Sequence, residues 1–175
     1  YHGRVHLHQC NSWELSVGII PAGTDLNSLP PLNIELRNKT FALEAVMKTM
    51  PQVELKVVHH FSKGVYAREL HIPAGITLVG EIHKFKNLNI LSKGKMLVTT
   101  EEGMTEVEAP FTVVSPPGTK RAAHTLTDCV WTTIHGTDET DVNAIETEFI
   151  AHTEEEYLDF VGANQLMLGF GQWLG

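Results

Sequence analysis

The sequence is short of cysteine, of charge and above all of basic residues. Cys10 and Cys129 are the only thiols in 175 residues. Two cysteines so far apart form neither a disulfide framework nor a zinc motif, so free thiols in a reducing compartment are the simplest expectation. Charged residues make up 19% of the chain, low for a surface wholly facing water. Some of that surface is therefore expected to be covered by partner subunits. Lys and Arg total 13 against 21 Asp and Glu, a net charge of −8, and the sequence pI is about 5.6. That balance argues against general nucleic-acid binding, which needs a basic face. No apolar run approaches the ~18 residues of a membrane span, so no membrane partner is expected. A G-x-S-x-G nucleophile elbow, a P-loop and an H-E-x-x-H helix are all missing. The chain opens Tyr1-His2-Gly3, without an initiator Met and without the pattern of a secretory signal, which leaves its natural start open.

What is present is a core. Apolar residues make up 42% of the chain, enough for one domain with a full interior. Residues 1–32 show no sustained period and read as an N-terminal arm, with one short strand in Arg4-Val5-His6-Leu7-His8 and punctuation at Pro21, Gly23, Pro30 and Pro31. Over 33–52, Leu36, Phe41, Leu43, Val46, Met47 and Met50 recur near helical spacing, with Glu35, Arg37, Lys39 and Lys48 between them. This predicts one amphipathic helix, closed by Pro51.

From Val53 the period drops to two. Runs at 53–57, 65–72, 76–82, 88–91, 95–100, 105–108, 111–114, 121–126 and 129–134 alternate and are separated by turn residues. Short strands in that rhythm over 53–136 predict an all-β barrel or jelly roll. Residues 137–175 return to helical spacing. Thr140 is placed to cap a first helix, and Thr153-Glu154-Glu155-Glu156 reads as a capping box for a second, short one. The apolar tail from Leu166 to Leu174 is expected to pack on the barrel or on a neighbouring subunit.

One spacing carries chemistry. Gly75 is followed after five residues by Glu81, then by His83, Asn87 and Gly94 at intervals of one, three and six residues. This segment resembles the first motif of the cupin family, G-x5-H-x-H-x3,4-E-x6-G. Pro116, Pro117 and Gly118 then precede Arg121 and Thr125, which stand where the second cupin motif has its His and its Asn. In metal-binding cupins the His and Glu positions hold a divalent ion inside the barrel. The resemblance therefore implies a metal set of His83, Glu81, Asn87 and His124, and one divalent ion if any cofactor at all. The set is incomplete: Glu81 replaces a His, Asn87 replaces the Glu, and Arg121 brings a positive charge to a ligand position. His124 lies three residues on, where strand alternation puts it on the face opposite Arg121.

Three outcomes stay open for this constellation. Glu81 and Arg121 could pair inside the barrel in place of a metal, since a buried Arg needs a partner. Arg121, with Lys120 and Tyr66, could instead hold a small anionic ligand. A metal site could survive on His83, Glu81 and a displaced His124 or His59. The remaining histidines are weaker signals: His59-His60 and His135 at strand ends, His71 facing out, and His2, His6 and His8 as a small cluster. Trp131 and Trp173 read as core and packing residues.

A longer run also resembles a known group. It comprises Pro51-Gln52, His59-His60-Phe61, Gly64-Val65-Tyr66-Ala67-Arg68, Gly80-Glu81-Ile82-His83-Lys84, Leu88 to Gly94, Ala109-Pro110-Phe111, Pro117 to Arg121, Trp131 to His135 and Asp141 to Ile150. These segments, over about residues 33–152, resemble the small cupin-like proteins of tailed bacteriophages. The resemblance implies a cupin-type jelly-roll β-barrel with an N-terminal helix and C-terminal helical segments. It also implies a viral protein of the virion or the host cytoplasm. The leading expectation is a non-enzymatic virion or assembly component with a degenerate metal site, forming a homo-oligomer or joining other virion proteins. A metal-dependent enzyme of dioxygenase or isomerase type is the alternative, together with a barrel that binds a small anion.

Overall fold

The computed structural model describes residues 6–8, 34–100 and 102–171, with side chains described over 35–100 and 102–163. Most of the expected N-terminal arm, Cys10, the side chains of the His2, His6 and His8 cluster, and Trp173 lie outside the described residues.

The chain forms strand β1 (His6–His8), helix α1 (Ile34–Met47), and strands β2 (Lys56–Ser62), β3 (Val65–Ile72), β4 (Thr77–Val79), β5 (Ile82–His83), β6 (Asn87–Lys93), β7 (Lys95–Thr100), β8 (Gly103–Glu108), β9 (Phe111–Ser115), β10 (Ala122–Thr125) and β11 (Cys129–His135). Helix α2 (Val142–Phe149), strand β12 (Ile150–Ala151) and helix α3 (Glu154–Gly171) follow. The strands make two five-stranded sheets, ordered β1-β4-β10-β7-β8 and β2-β3-β11-β6-β9, with β12 and β5 as a separate pair. All pairings are antiparallel. The architecture fits a jelly roll. The expected closed barrel is replaced by two distinct sheets, because among the described residues no ladder joins one sheet to the other.

Two features set the frame of the interior. Gly94 separates β6 from β7, so the chain changes sheets there. Its φ of +91° suits glycine, and a Cβ would press into the Asp128 backbone and to 2.7 Å from Cys129 Sγ. The expected single strand over 76–82 breaks into β4 and β5 at Gly80 and Glu81. β4 stays in its sheet, while β5 leaves to pair with β12, His83 opposite Ile150. That break carries Glu81 and His83 across one end of the sandwich.

Helix α1 is present, but its buried face differs from the expected apolar stripe. Arg37, Thr40, Glu44 and Met47 are buried, while Val46 is 53% exposed. The polar residues go inward because partners await them. Arg37 donates to Gly118 O at 3.0 Å and pairs with Glu154 of α3 at 2.8 Å, and Glu44 meets Lys120 at 3.0 Å. Met47 packs on Val79 of β4 and Ala122 of β10, so α1 covers the outer face of that sheet. Gln52 donates to the carbonyls of Met47 and Met50, which closes the helix end ahead of Pro51.

Asp141, one residue past the expected Thr140, caps α2 by accepting from Asn143 N and Ala144 N. Thr153 caps α3 by accepting from Glu156 N at 3.1 Å, and the Glu156 carboxylate reaches back to His152 N at 2.7 Å. The expected short second helix runs to Gly171. No helix among the described residues is long and apolar enough to cross a membrane.

Candidate functional site

A cavity of about 1320 Å³ lies between the two sheets and opens to solvent at its rim. Its walls follow from the register of β2, β3, β11, β6 and β9. In one row across that sheet, Val57 stands opposite Leu70, Leu70 opposite Trp131, Trp131 opposite Leu91, and Leu91 opposite Phe111. The next inward-facing row is His59, Arg68, Thr133 and Asn89. The third brings Tyr66 opposite His135, with Asn87 opposite Ser115. The period of two thus grades the interior from apolar to polar in steps of two residues, about 7 Å each. The facing sheet contributes Met96, Val98, Leu78 and Ala123, then Gly80 and Arg121 toward the polar end. Helix α2 flanks that end with Ile145 and Phe149, which cluster with Tyr66. Trp131 packs against the core, as expected, and also lines the cavity.

The polar end is rich in buried atoms without a hydrogen bond. Arg121 Nε, Asn87 Oδ1, His83 Nδ1, His135 Nδ1 and Glu81 Oε2 are buried and make no hydrogen bond. Buried polar atoms are nearly always paired, so five such atoms around one cavity stand out. The His83 and His135 rings stack with centroids 5.2 Å apart, and His135 lies 4.5 Å from the Phe149 ring. Burial holds both imidazoles neutral: His83 is driven down to about 3, with further push from His135 and Arg68, and His135 down to about 4. Burial raises the Glu81 carboxyl, and the Lys120 charge only partly offsets it. Burial likewise lowers the Arg121 guanidinium from its ordinary value, but an arginine remains a cation.

The expected Glu81–Arg121 pair does not form. No carboxylate among the described residues reaches ion-pair distance of Arg121, and the cation nearest Glu81 Oε2 is Lys120 Nζ at 3.8 Å. Lys120, expected to hold a ligand beside Arg121, is fully buried and does not line the cavity. Its Nζ donates to Gly80 O at 3.0 Å, pairs with Glu44 at 3.0 Å and sits 4.6 Å over the Phe41 ring. Lys120 locks α1 to the sandwich. Tyr66 does line the cavity, with its hydroxyl 2.8 Å from His59 Nδ1.

Of the metal positions implied by the cupin motif, Glu81, His83 and Asn87 line the cavity, and His124 does not. His124 Nδ1 lies 2.9 Å from Thr77 Oγ1 of β4, as alternation from Arg121 requires. Asn87 donates to Asn89 Oδ1, and Asn89 to Ser115 Oγ. Of the implied set, one imidazole, one carboxylate and one neutral amide line the cavity, with Arg121 at the fourth position; His135 and His59 bring further imidazoles to its walls. No group of three His, Cys, Asp or Glu among the described residues is placed to hold an ion. Arg121 adds a cation to the wall of the same cavity. His135 and Arg68 were missed as site residues. Their signal was their place on the inward register opposite Tyr66 and Thr133, which a sequence shows only once strand pairing is known.

No family model matches the chain, and no curated protein matches it. Solved structures do. A cupin domain from Bordetella pertussis is 17% identical, covers 50% of this chain and 98% of its own, and superposes with a TM-score of 0.40. A cupin-like protein from Thermotoga maritima is 15% identical, with coverages of 59% and 82% and a TM-score of 0.41. A proposed acetylacetone dioxygenase from Methylibium petroleiphilum is 19% identical, with coverages of 49% and 62% and a TM-score of 0.39, so the match spans under two thirds of that chain. These likenesses concern the shape of the sandwich and carry nothing about substrate or reaction.

Proposed function

We propose that the sandwich interior binds a small organic anion, with Arg121 as its anchor. The observation behind this is the state of Arg121. It faces the cavity with Nε unpaired and with no carboxylate among the described residues at ion-pair distance. A half-buried cation without a counter-charge is costly, and an incoming anion offsets that cost. The planar guanidinium suits two-point contact with a carboxylate or phosphate. Arg68 lines the same cavity and adds positive potential, while Asn89 and Thr133 offer polar contacts beside it. The virion role and bacteriophage origin implied by the sequence resemblance find no support in the fold or in the similar structures. A metal-dependent enzyme is the alternative reading, although among the described residues no group of three His, Cys, Asp or Glu is placed to hold an ion.

The test is Arg121→Gln, followed by calorimetric titration with small carboxylates and phosphate. The native chain is expected to bind and to gain thermal stability as anion is added. Arg121→Gln should lose that response while its ligand-free melting temperature stays level or rises, since a lone cation is gone. Undiminished binding by the variant would reject the anchor.

A further inference from the structure

Given that Arg121 anchors an anion, we infer that the ligand is an organic acid with one anionic head and an apolar body, not an inorganic anion or a uniformly polar acid. Size is the first argument. A water takes about 30 Å³ of liquid volume, so an inorganic anion a few times larger would leave most of the 1320 Å³ cavity unfilled. The direction of the wall chemistry is the second. Arg121 is two residues from Ala123 on the same inward face, and Ala123 stands opposite both Val98 and Leu78. Met96 lies one inward step further along β7.

Across the cavity the same progression runs along β3, from Arg68 to Leu70 to Ile72. Trp131 stands opposite Leu70 and offers a broad flat wall. From the Arg68 row to the Ile72 row the apolar stretch is four residues, about 13 Å at the rise of a strand. An acid seated on Arg121 therefore points its remaining atoms toward Val98, Leu70 and Trp131. Lys56 also lines the cavity, but it stands opposite His71, in the alternate register from Val57 and Leu70, so a second anionic group among Val57, Leu70, Ile72 and Trp131 would meet no cation on the inward face.

The experiment is calorimetric titration of the whole chain with acetate, butanoate, hexanoate and octanoate, together with inorganic phosphate and octan-1-ol. Affinity is expected to rise about fourfold per added CH₂, the fold-change of about 0.8 kcal/mol per methylene buried. Octanoate should bind at least tenfold more tightly than octan-1-ol, and Arg121→Gln should erase that gap while retaining the chain-length trend. If affinity is flat along the carboxylate series, or if phosphate binds as tightly as octanoate, the apolar-body inference falls and the anion reading stands. If octan-1-ol matches octanoate in the native chain, the anion reading falls instead. If no probe binds, both fall. The trend in the native chain needs no variant to fold.

Discussion

Lowering the pH from 7 to 5 should destabilise this protein by an amount set by two stacked histidines. His83 and His135 are folded with their pKa values driven down to about 3 and about 4. In the unfolded chain both return to about 6.5. The unfolded state thus binds more protons below that value, and stability rises with pH. The contribution is fully present above about 6.5 and is lost as pH falls toward the folded values. At pH 5 each ring is 1.5 units below its unfolded pKa, which amounts to about 2 kcal/mol per ring. Together they remove about 4 kcal/mol, a large share of a typical 5–15 kcal/mol. Two carboxyls and His59, whose imidazole burial also lowers and which adds to the loss, modify the total. Glu81, raised by burial, gains from protonation and opposes the loss. Burial also pushes Glu44 up, but Lys120 and Lys48 outweigh it and hold it low, so its protonation adds to the loss. The histidine share is isolated by urea unfolding at pH 7, 6 and 5 of the native chain and of a His83→Leu/His135→Phe double variant. The double variant should show a drop smaller by about 4 kcal/mol, each single variant roughly half of that. Equal drops within about 0.5 kcal/mol would mean that the rings titrate freely, and the description of the polar end would be wrong.

Three further substitutions test the frame around the cavity. Lys120→Met leaves Glu44 buried without its main partner and should cost about 3–5 kcal/mol by chemical denaturation, most of it recovered in Lys120→Met/Glu44→Leu. Gly94→Ala forces a Cβ against the Asp128 carbonyl and Cys129 Sγ at a φ of +91°, and should cost at least about 3 kcal/mol or abolish soluble expression. Asp141→Ala removes the acceptor for two backbone N–H groups at the start of α2 and should cost about 1 kcal/mol of stability, read by chemical denaturation.

Most strands were legible because alternation is a local signal, though the run expected at 53–57 is displaced to β2, Lys56–Ser62, which puts His59 and His60 in mid-strand. The runs at 65–72 and 95–100 coincide with β3 and β7, since each buries one face and has a turn at its ends. The inward face of α1 was not legible. Arg37 and Glu44 look like solvent-facing charges until Gly118, Glu154 and Lys120 arrive from 70 or more residues away. The break at Gly80 was hidden for the same reason, because β5 leaves its sheet to meet β12 near the other end of the chain. The candidate site was half visible. Glu81, His83, Asn87 and Arg121 were found by spacing and share the cavity, whereas His135 and Arg68 carry no motif and enter only through pairing register.

Lys120 and Arg121 show how far one residue of register decides chemistry. They are adjacent cations of equal formal charge, and composition alone gives them one role. The chain ahead of β10 puts their side chains on opposite sides of the sheet. Lys120 points outward under α1, where Glu44, the Gly80 carbonyl and the Phe41 ring satisfy it. Arg121 points inward, where no carboxylate among the described residues reaches it. A slip of one residue would exchange them, putting a lysine in the cavity and an arginine beneath the helix. The structure thus spends one cation on holding α1 in place and leaves the other exposed to whatever enters the interior. That division, more than the partial match to a metal motif, is why binding at Arg121 is the first activity to measure.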